Sequence, residues 1–353
     1  MTNASVQAVT TQSPRLLQHY LESWAQGCPD RALISSLIIE IAGAGIRLSR
    51  SIVSQEIEQH AGPDSLFAAG DRSVQPMAQL AHELFATALA GLPVSMLASA
   101  ECNSTRVIDP QGRYAVAIDP LDGDANLEIN LSIGTIFSIL ESDDIDVAGL
   151  HPGRQQRAAG FLCYGPQTRL VLTVGEGTCQ FLLHPEQEQF YQLGGPLRIP
   201  EGKREFAINI ANYRFWDSNL RHFIDDCIAG EEGSLGEDFN MRWNGSLVAE
   251  AFRILVRGGV FLYPGDARPD YKNGRLRLLY HAAPLALIIE QAGGAASDGN
   301  EPIVSMSLAS LHARVPLIFG CREQVNEVIE YISGVALDSG HFPLFLNRGL
   351  LRN

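Results

Sequence analysis

The run Tyr114-Ala115-Val116-Ala117-Ile118 passes directly into Asp119-Pro120-Leu121-Asp122-Gly123-Asp124-Ala125-Asn126, and this junction constrains the chain more than any other stretch. An apolar run of this kind reads as a strand, and the acid after it marks its end. Pro120 bends the chain between carboxylates at i and i+3, so Asp119, Asp122 and the Leu121 carbonyl oxygen can be aimed at one point. That oxygen set suits Mg²⁺ or another hard cation, and the chemistry it predicts is metal-assisted phosphoryl transfer. The same letters also make an ordinary turn, with Pro presetting φ and Gly123 supplying a left-handed residue. A second acid-bearing strand end, Val94 to Ala98 leading into Ser99-Ala100-Glu101, precedes it. Neighbouring strand ends that open into a crevice are where α/β folds place ligands.

Around this junction the periodicity alternates between helix and strand. From Pro14 to about Ala61 it is helical, with Leu16, Leu17 and Tyr20 on one segment and Ile34, Leu37, Ile38, Ile41 and Leu48 on the core face of a longer one. Residues 62–75 read as a loop, and Met77 to Ala90 as a helix carrying His82 on the surface. Strand-like runs at 135–140, 158–164, 169–174 and 179–183 form a meander that predicts antiparallel pairing. Pro185 to Pro200 reads as a boundary. Beyond it, strands are expected from Glu205, at Gly259 to Tyr263 and at Leu276 to Tyr280, with helices near 216–229, 246–257, 283–292 and 323–333. A chain of 353 residues exceeds one ordinary domain. The expected division is a lobe at 14–195 and a second at 196–353.

Charge removes several function classes. With 26 Lys+Arg against 40 Asp+Glu, the net charge of −14 lacks the basic footprint of a nucleic-acid binder, so an anionic ligand requires a local basic pocket. The six cysteines are dispersed with no C-x-x-C pair, which indicates reduced thiols rather than a zinc site or a disulfide scaffold. Met1 to Ser13 has no apolar core behind a basic start, and no apolar run is read as approaching membrane-spanning length. The expectation is a cytoplasmic protein with no membrane partner.

The stretch after the acidic turn carries a family likeness. Leu127 to Ile139 contains Gly134-Thr135-Ile136-Phe137, and a D-P-L-D-G segment succeeded by an apolar run ending in G-T-I-F resembles class I fructose-1,6-bisphosphatases, within the lithium-sensitive Mg²⁺-dependent phosphatases. The resemblance continues through Phe206-Ala207-Ile208-Asn209, Met241-Arg242-Trp243-Asn244-Gly245-Ser246, Gly258 to Pro264, and Gly274-Arg275-Leu276-Arg277-Leu278-Leu279-Tyr280. Asp238 to Trp243 and the tail Pro343-Leu344-Phe345 are most similar to the proteobacterial branch.

The resemblance implies a two-lobed α/β fold, a layered αβαβα sandwich of the sugar phosphatase type, assembled as a homotetramer. It implies hydrolysis of the 1-phosphate of a sugar bisphosphate, in gluconeogenesis or the Calvin cycle. Asn209, Arg242, Tyr263 and Arg275 would hold the 6-phosphate, with Arg242 reaching into a neighbouring subunit's site; guanidinium forks and a phenol suit phosphate oxygens. Asp122, Gly123, Asp124 and Ala125 would face the reacting phosphate, while Asp119, Leu121, Asp122 and His281 would hold metal and Glu101 would assist the attacking water. Arg113-Tyr114 matches part of the family's adenine-nucleotide site.

Several positions depart from the family pattern. Ala100 falls on the first of two glutamates, a metal ligand, and Glu101 on the second, unless a one-residue gap moves Glu101 onto the ligand position; Ala78 replaces an Asp that activates water; Asp124 and Ala125 replace two serines; His281 replaces a metal-binding Glu. These changes predict one Mg²⁺ rather than a cluster and at most weak hydrolysis of fructose 1,6-bisphosphate. His281 is either a nitrogen ligand favouring Mn²⁺ or a hydrogen-bonded core histidine. Two further functions stand beside hydrolysis: a non-hydrolytic sugar-phosphate-binding partner of an active paralogue, and altered metal-dependent chemistry.

Overall fold

Two sheets and three helical layers make up the part of the computed structural model that is described, residues 14–60, 76–141 and 151–335. The Met1–Ser13 segment, the expected loop at 62–75 and the Pro343–Phe345 tail lie outside the described residues. The outer helical layer is α1 (Leu17–Ala25), α2 (Pro29–His60) and α3 (Met77–Leu89). Helix α2 starts with Pro29 and Asp30, a residue with preset φ and an acid near the positive helix end. Its expected core face is buried at Ile34, Leu37, Ile38, Ile41 and Leu48. The expectation about apolar runs is corrected: Pro29–Ser54 is long and apolar enough to cross a membrane by length and composition, although in this fold it packs on a sheet.

That first sheet has eight strands: β1 (Val94–Ser99), β2 (Arg106–Val107), β3 (Tyr114–Asp122), β4 (Ile133–Glu141), β5 (Gln156–Tyr164), β6 (Arg169–Thr173), β7 (Thr178–His184) and β8 (Gln189–Gln192). Their order is β2-β1-β3-β4-β5-β6-β7-β8. From β3 to β8 the pairing is the expected antiparallel meander. Strand β8 falls inside the segment read as a boundary; its single apolar pair, Phe190-Tyr191 between glutamines, is too short to signal a strand. Helices cover both faces of the sheet, which is why β1 and β3 are apolar without alternation. These two strands pair in parallel, Ser99 opposite Ile118, so both acidic strand ends emerge at one edge.

The second sheet contains β9 (Glu205–Ala207), β10 (Asn240–Met241), β11 (Val260–Tyr263), β13 (Ala295–Ser297) and β15 (Leu317–Gly320), in the order β10-β9-β11-β15-β13. A small ribbon pairs β12 (Leu276–Arg277) with β14 (Arg314–Val315). The strand expected at 276–280 is corrected: only its first two residues are extended, and Leu278–Ala282 form a π-helical turn. Besides the short α4 (Pro152–Gln155), the helices of this half are α5 (Ser218–Ala229), α6 (Leu247–Arg257), α7 (Ala283–Gln291) and α8 (Arg322–Ile332). Helices α6 and α7 lie between the sheets, burying Leu247, Val248, Ala251, Leu285 and Ile289 against Ile136 and Phe161 on one side and Phe261 and Phe319 on the other. Helices α5 and α8 cover the far face of the second sheet through Phe223, Ile224, Val325 and Val328. The layers therefore run α-β-α-β-α, as the resemblance implied.

One buried charge anchors the second sheet. Glu205 on β9 is fully buried, with Arg257 Nη2 at 2.8 Å and Arg253 Nη1 at 2.9 Å. Burial alone would raise its carboxyl, but the Arg257 and Arg253 guanidiniums together hold it below the usual carboxylate range. Glu205→Gln removes the counter-charge of the half-exposed Arg257 and one of two from Arg253, which keeps Glu250 at 2.9 Å, and is expected to cost about 1–3 kcal/mol at pH 7 in urea denaturation. Because the folded carboxyl titrates below the unfolded one, its stabilisation is complete above the unfolded value and is lost as pH falls through the folded value. The gap between wild type and variant should therefore close below about pH 4.

Candidate active site

The acidic turn is held by groups on neighbouring strands and a helix. Thr135 donates its hydroxyl to the Pro120 carbonyl at 2.9 Å, and the Tyr164 hydroxyl lies 2.9 Å from the same Oγ1. A Cβ at Gly134 would fall 2.3 Å from the Leu162 carbonyl oxygen and 2.4 Å from Val248 Cγ2, so glycine is required for β4 to lie this close to β5 and α6. Gly123 takes the left-handed conformation at φ 77°, as the turn reading expected. Asn126 then ties two loops together, donating from Nδ2 to the carbonyls of Ser132 and Asn244 at 3.2 Å each.

Asp122 points at the start of α6, where its Oδ2 accepts the Val248 N–H at 3.3 Å. The positive end of the helix thus faces a carboxylate. Burial first, and then the like charge of Asp119, nevertheless push the Asp122 carboxyl up to about 6. Asp119 itself is 7% exposed, and its Oδ1 accepts the Leu121 N–H at 3.2 Å. Its other oxygen lies 2.6 Å from His281 Nε2. Asp119, Asp122 and His281 each offer an atom within 4.8 Å of the others, a group able to hold a metal ion. His281 is carried by the π-helical turn, and its Nδ1 accepts the backbone N–H of Arg277 at 3.0 Å.

The remaining expected residues surround this group unequally. Glu101 stands exposed beside it; partial burial, then Asp119 and Asp124, raise its carboxyl. Ala100 is buried among apolar neighbours, and its carbonyl accepts from the Arg277 guanidinium. Ala78 packs into the outer helical core. Asp124 and Ala125 are exposed at the start of a single 3₁₀ turn, where Asp124 Oδ1 accepts the Ala125 N–H at 2.7 Å. His82 is corrected from a surface residue: it is half-buried, with Nδ1 3.0 Å from Ser99 Oγ. Arg113 pairs with Asp30 and Glu141, which ties β3 to α2 and β4.

At the other end, Asn209, Tyr263 and Arg275 line one pocket. Arg275 donates to the Tyr263 hydroxyl at 3.3 Å, and its guanidinium carbon lies 3.9 Å from the Tyr271 ring centroid. Arg242 is placed elsewhere: half-exposed beside Glu205, its Nε 3.8 Å from that carboxylate. A cavity of about 110 Å³, lined by Asp122, Trp243, Ser246, Glu250, Tyr263 and Leu276 among others, shares Tyr263 with that pocket. Trp243 stacks with Phe261 and Tyr263 at 6.0 Å between centroids. Sequence reasoning missed Trp243, Glu250 and Leu276 as lining residues, and Tyr271 as the ring under Arg275. Trp243 and Leu276 stood inside motifs already singled out; Glu250 and Tyr271 gave no signal.

Paired carboxylates at a strand end, an arginine-tyrosine pocket and a cavity between that shares Tyr263 with it, all set in five alternating layers, define a sugar-phosphatase type of hydrolase. Comparison with known proteins narrows this. The family model of the fructose-1,6-bisphosphatase N-terminal domain matches residues 35–194, and that of the C-terminal domain residues 199–333. A class 1 fructose-1,6-bisphosphatase of Bradyrhizobium sp. is 45% identical over 335 residues, covering 94% of this chain and 98% of the relative. One from Nitrobacter hamburgensis is 50% identical over 275 residues, covering 77% of this chain and 79% of the relative. The crystal structure of Leishmania major fructose-1,6-bisphosphatase in holo form matches with a TM-score of 0.80 at 29% identity, covering 91% of this chain and 100% of that one. The chain belongs to the fructose-1,6-bisphosphatase family.

Proposed function

We propose that the protein hydrolyses the 1-phosphate ester of fructose 1,6-bisphosphate, as a homo-oligomeric, tetrameric enzyme of cytoplasmic carbohydrate metabolism. The observation that carries this reading is a shared wall: Tyr263 lines both the cavity containing Asp122 and the pocket containing Arg275, so a sugar lying across it would present a phosphate to each. In this reading residues 14–195 supply the carboxylates and 196–353 the cation.

Asp119, Asp122 and the Leu121 carbonyl would hold one Mg²⁺, with Mn²⁺ as a substitute. They fit such an ion: burial and then the neighbouring carboxylate push Asp122 up to about 6, and a cation between the two would relieve their repulsion. The ion would neutralise phosphoryl oxygens and polarise a water. Arg275, Tyr263 and Asn209 anchor the 6-phosphate, Arg242 serves a neighbouring subunit, and the Trp243 wall excludes water from the sugar's face. Glu101, whose carboxyl is raised, stands where it can accept a proton from the attacking water.

The test is phosphate release from fructose 1,6-bisphosphate with Mg²⁺ and Mn²⁺ supplied separately. Cation-dependent release is expected, together with calorimetric binding of fructose 6-phosphate. Binding without release under either ion would return the chain to the non-hydrolytic, sugar-phosphate-binding role. Asp124 stands where the family has a phosphate-holding serine, and its charge opposes an anion; because it is exposed, water screens much of that repulsion. Asp124→Ser is expected to lower the KM for the bisphosphate by about tenfold. An unchanged KM would remove Asp124 from the reacting end.

A further inference from the structure

We infer that His281 is not a ligand of the metal but the residue that positions Asp119 for it. The inference rests on the metal reading of the site and concerns which atom of His281 carries the proton. An imidazole that binds a metal offers one nitrogen lone pair to the ion and donates the other ring N–H to a carbonyl or carboxylate. In this site the polarity is reversed. The Arg277 backbone N–H points at Nδ1 at 3.0 Å, and a backbone amide can only donate, so Nδ1 supplies the lone pair. The proton of the neutral ring is then on Nε2, where it is donated to Asp119 Oδ2 at 2.6 Å. Turning the ring over would put carbon atoms against both partners, so the two contacts fix its orientation as well.

The scaffold makes this arrangement hard to leave. The amide that engages Nδ1 belongs to the residue just before the π-helical turn that carries His281, so ring and amide move together. The Arg277 side chain is itself tied to the Ala100 carbonyl at the end of β1. His281 and Asp119 side chains are only 12% and 10% exposed, which leaves little room for another rotamer. The centre therefore keeps an all-oxygen ligand set. The exchange of the family's Glu for His281 removes one anionic ligand without introducing a nitrogen one, and the preference of the centre stays with hard cations.

The experiment is electron spin-echo spectroscopy of Mn²⁺ bound to the full chain, paired with Mn²⁺ affinities of His281→Gln and His281→Ala. No directly bonded nitrogen is expected in the wild-type spectrum. Gln can accept the Arg277 N–H and donate to Asp119, so His281→Gln should keep its affinity within about threefold. His281→Ala loses the donor and should bind about 10–100-fold more weakly, the cost typical of removing a group that orients a ligand. A nitrogen coupling in the wild type overturns the inference and leaves the metal reading standing. Loss of affinity in His281→Gln equal to that in His281→Ala also overturns it, as does retention in both. Failure of the wild type to bind Mn²⁺ at millimolar concentration overturns the metal reading as well. The spectrum needs no variant, so a poorly folded substitution leaves the inference testable.

Discussion

Asp119→Asn is expected to abolish divalent-cation binding and lower phosphate release by about 10³-fold, with the fold retained. Removing a group that merely orients a ligand costs about 10–100-fold in metal affinity, and losing the anionic ligand costs more. The structural effects of the substitution nearly cancel. Asp119 accepts from both the Leu121 N–H and His281 Nε2–H. Asn has one acceptor oxygen, so one of these bonds is lost, at a cost of about 1–3 kcal/mol. Against that, the like charge that adds to burial in raising the Asp122 carboxyl is gone. The cation-free melting temperature should therefore stay within a few degrees of wild type while Mn²⁺ titration shows no binding. Persistent cation-dependent release in Asp119→Asn would place the catalytic centre elsewhere.

In the neighbouring pocket, Arg275→Ala should weaken fructose 6-phosphate binding by about 10–100-fold in calorimetry, since hydrogen bonds to a charged group contribute about 1.5–3 kcal/mol. Arg275 is prearranged: its guanidinium lies on the Tyr271 ring and donates to Tyr263, so little side-chain entropy remains to be lost on binding. Arg275→Lys retains the charge without the fork or the stack and should recover only part of the affinity. Mn²⁺ binding should be unchanged in both variants, because Asp119 and Asp122 line no part of the Arg275 pocket. Equal affinities for wild type and Arg275→Ala would dissociate this pocket from the 6-phosphate.

What could be read in the sequence depended on whether the cause was local. The apolar runs at 114–118 and 135–140 become the adjacent strands β3 and β4 because burial on both faces demands continuous apolar residues. The carboxylates of Asp119 and Asp122 could be placed together because Pro120 and the strand end act over four residues. The π-helical turn was hidden, since Leu276 to Tyr280 carries an apolar pattern that a strand and a buried turn share. The polarity of His281 was hidden for a different reason: it is set by a backbone N–H, and every residue except proline has one. The cavity joins Asp122 to Trp243, Glu250, Tyr263 and Leu276, which only the packing of two sheets on α6 brings together. Arg242 shows the opposite case, a residue whose motif was legible but whose side chain lies outside the pocket of its own chain.

The layer between the sheets also sets a timetable for making the molecule. Val248, whose N–H meets Asp122, is synthesised 126 residues after it. The meander from β3 to β8 can pair as soon as Gln192 is made, and α1 to α3 can cover one face at once. The opposite face, with Ile136, Leu140, Phe161 and Val171, is covered by α6 and α7, and α7 ends only at Gln291. At about 5–20 residues per second, the intervening stretch takes roughly 5–20 s to synthesise. For that interval the nascent chain carries a sheet with one bare apolar side, a surface suited to holdase chaperones that the folded molecule, with α6 and α7 in place, no longer offers.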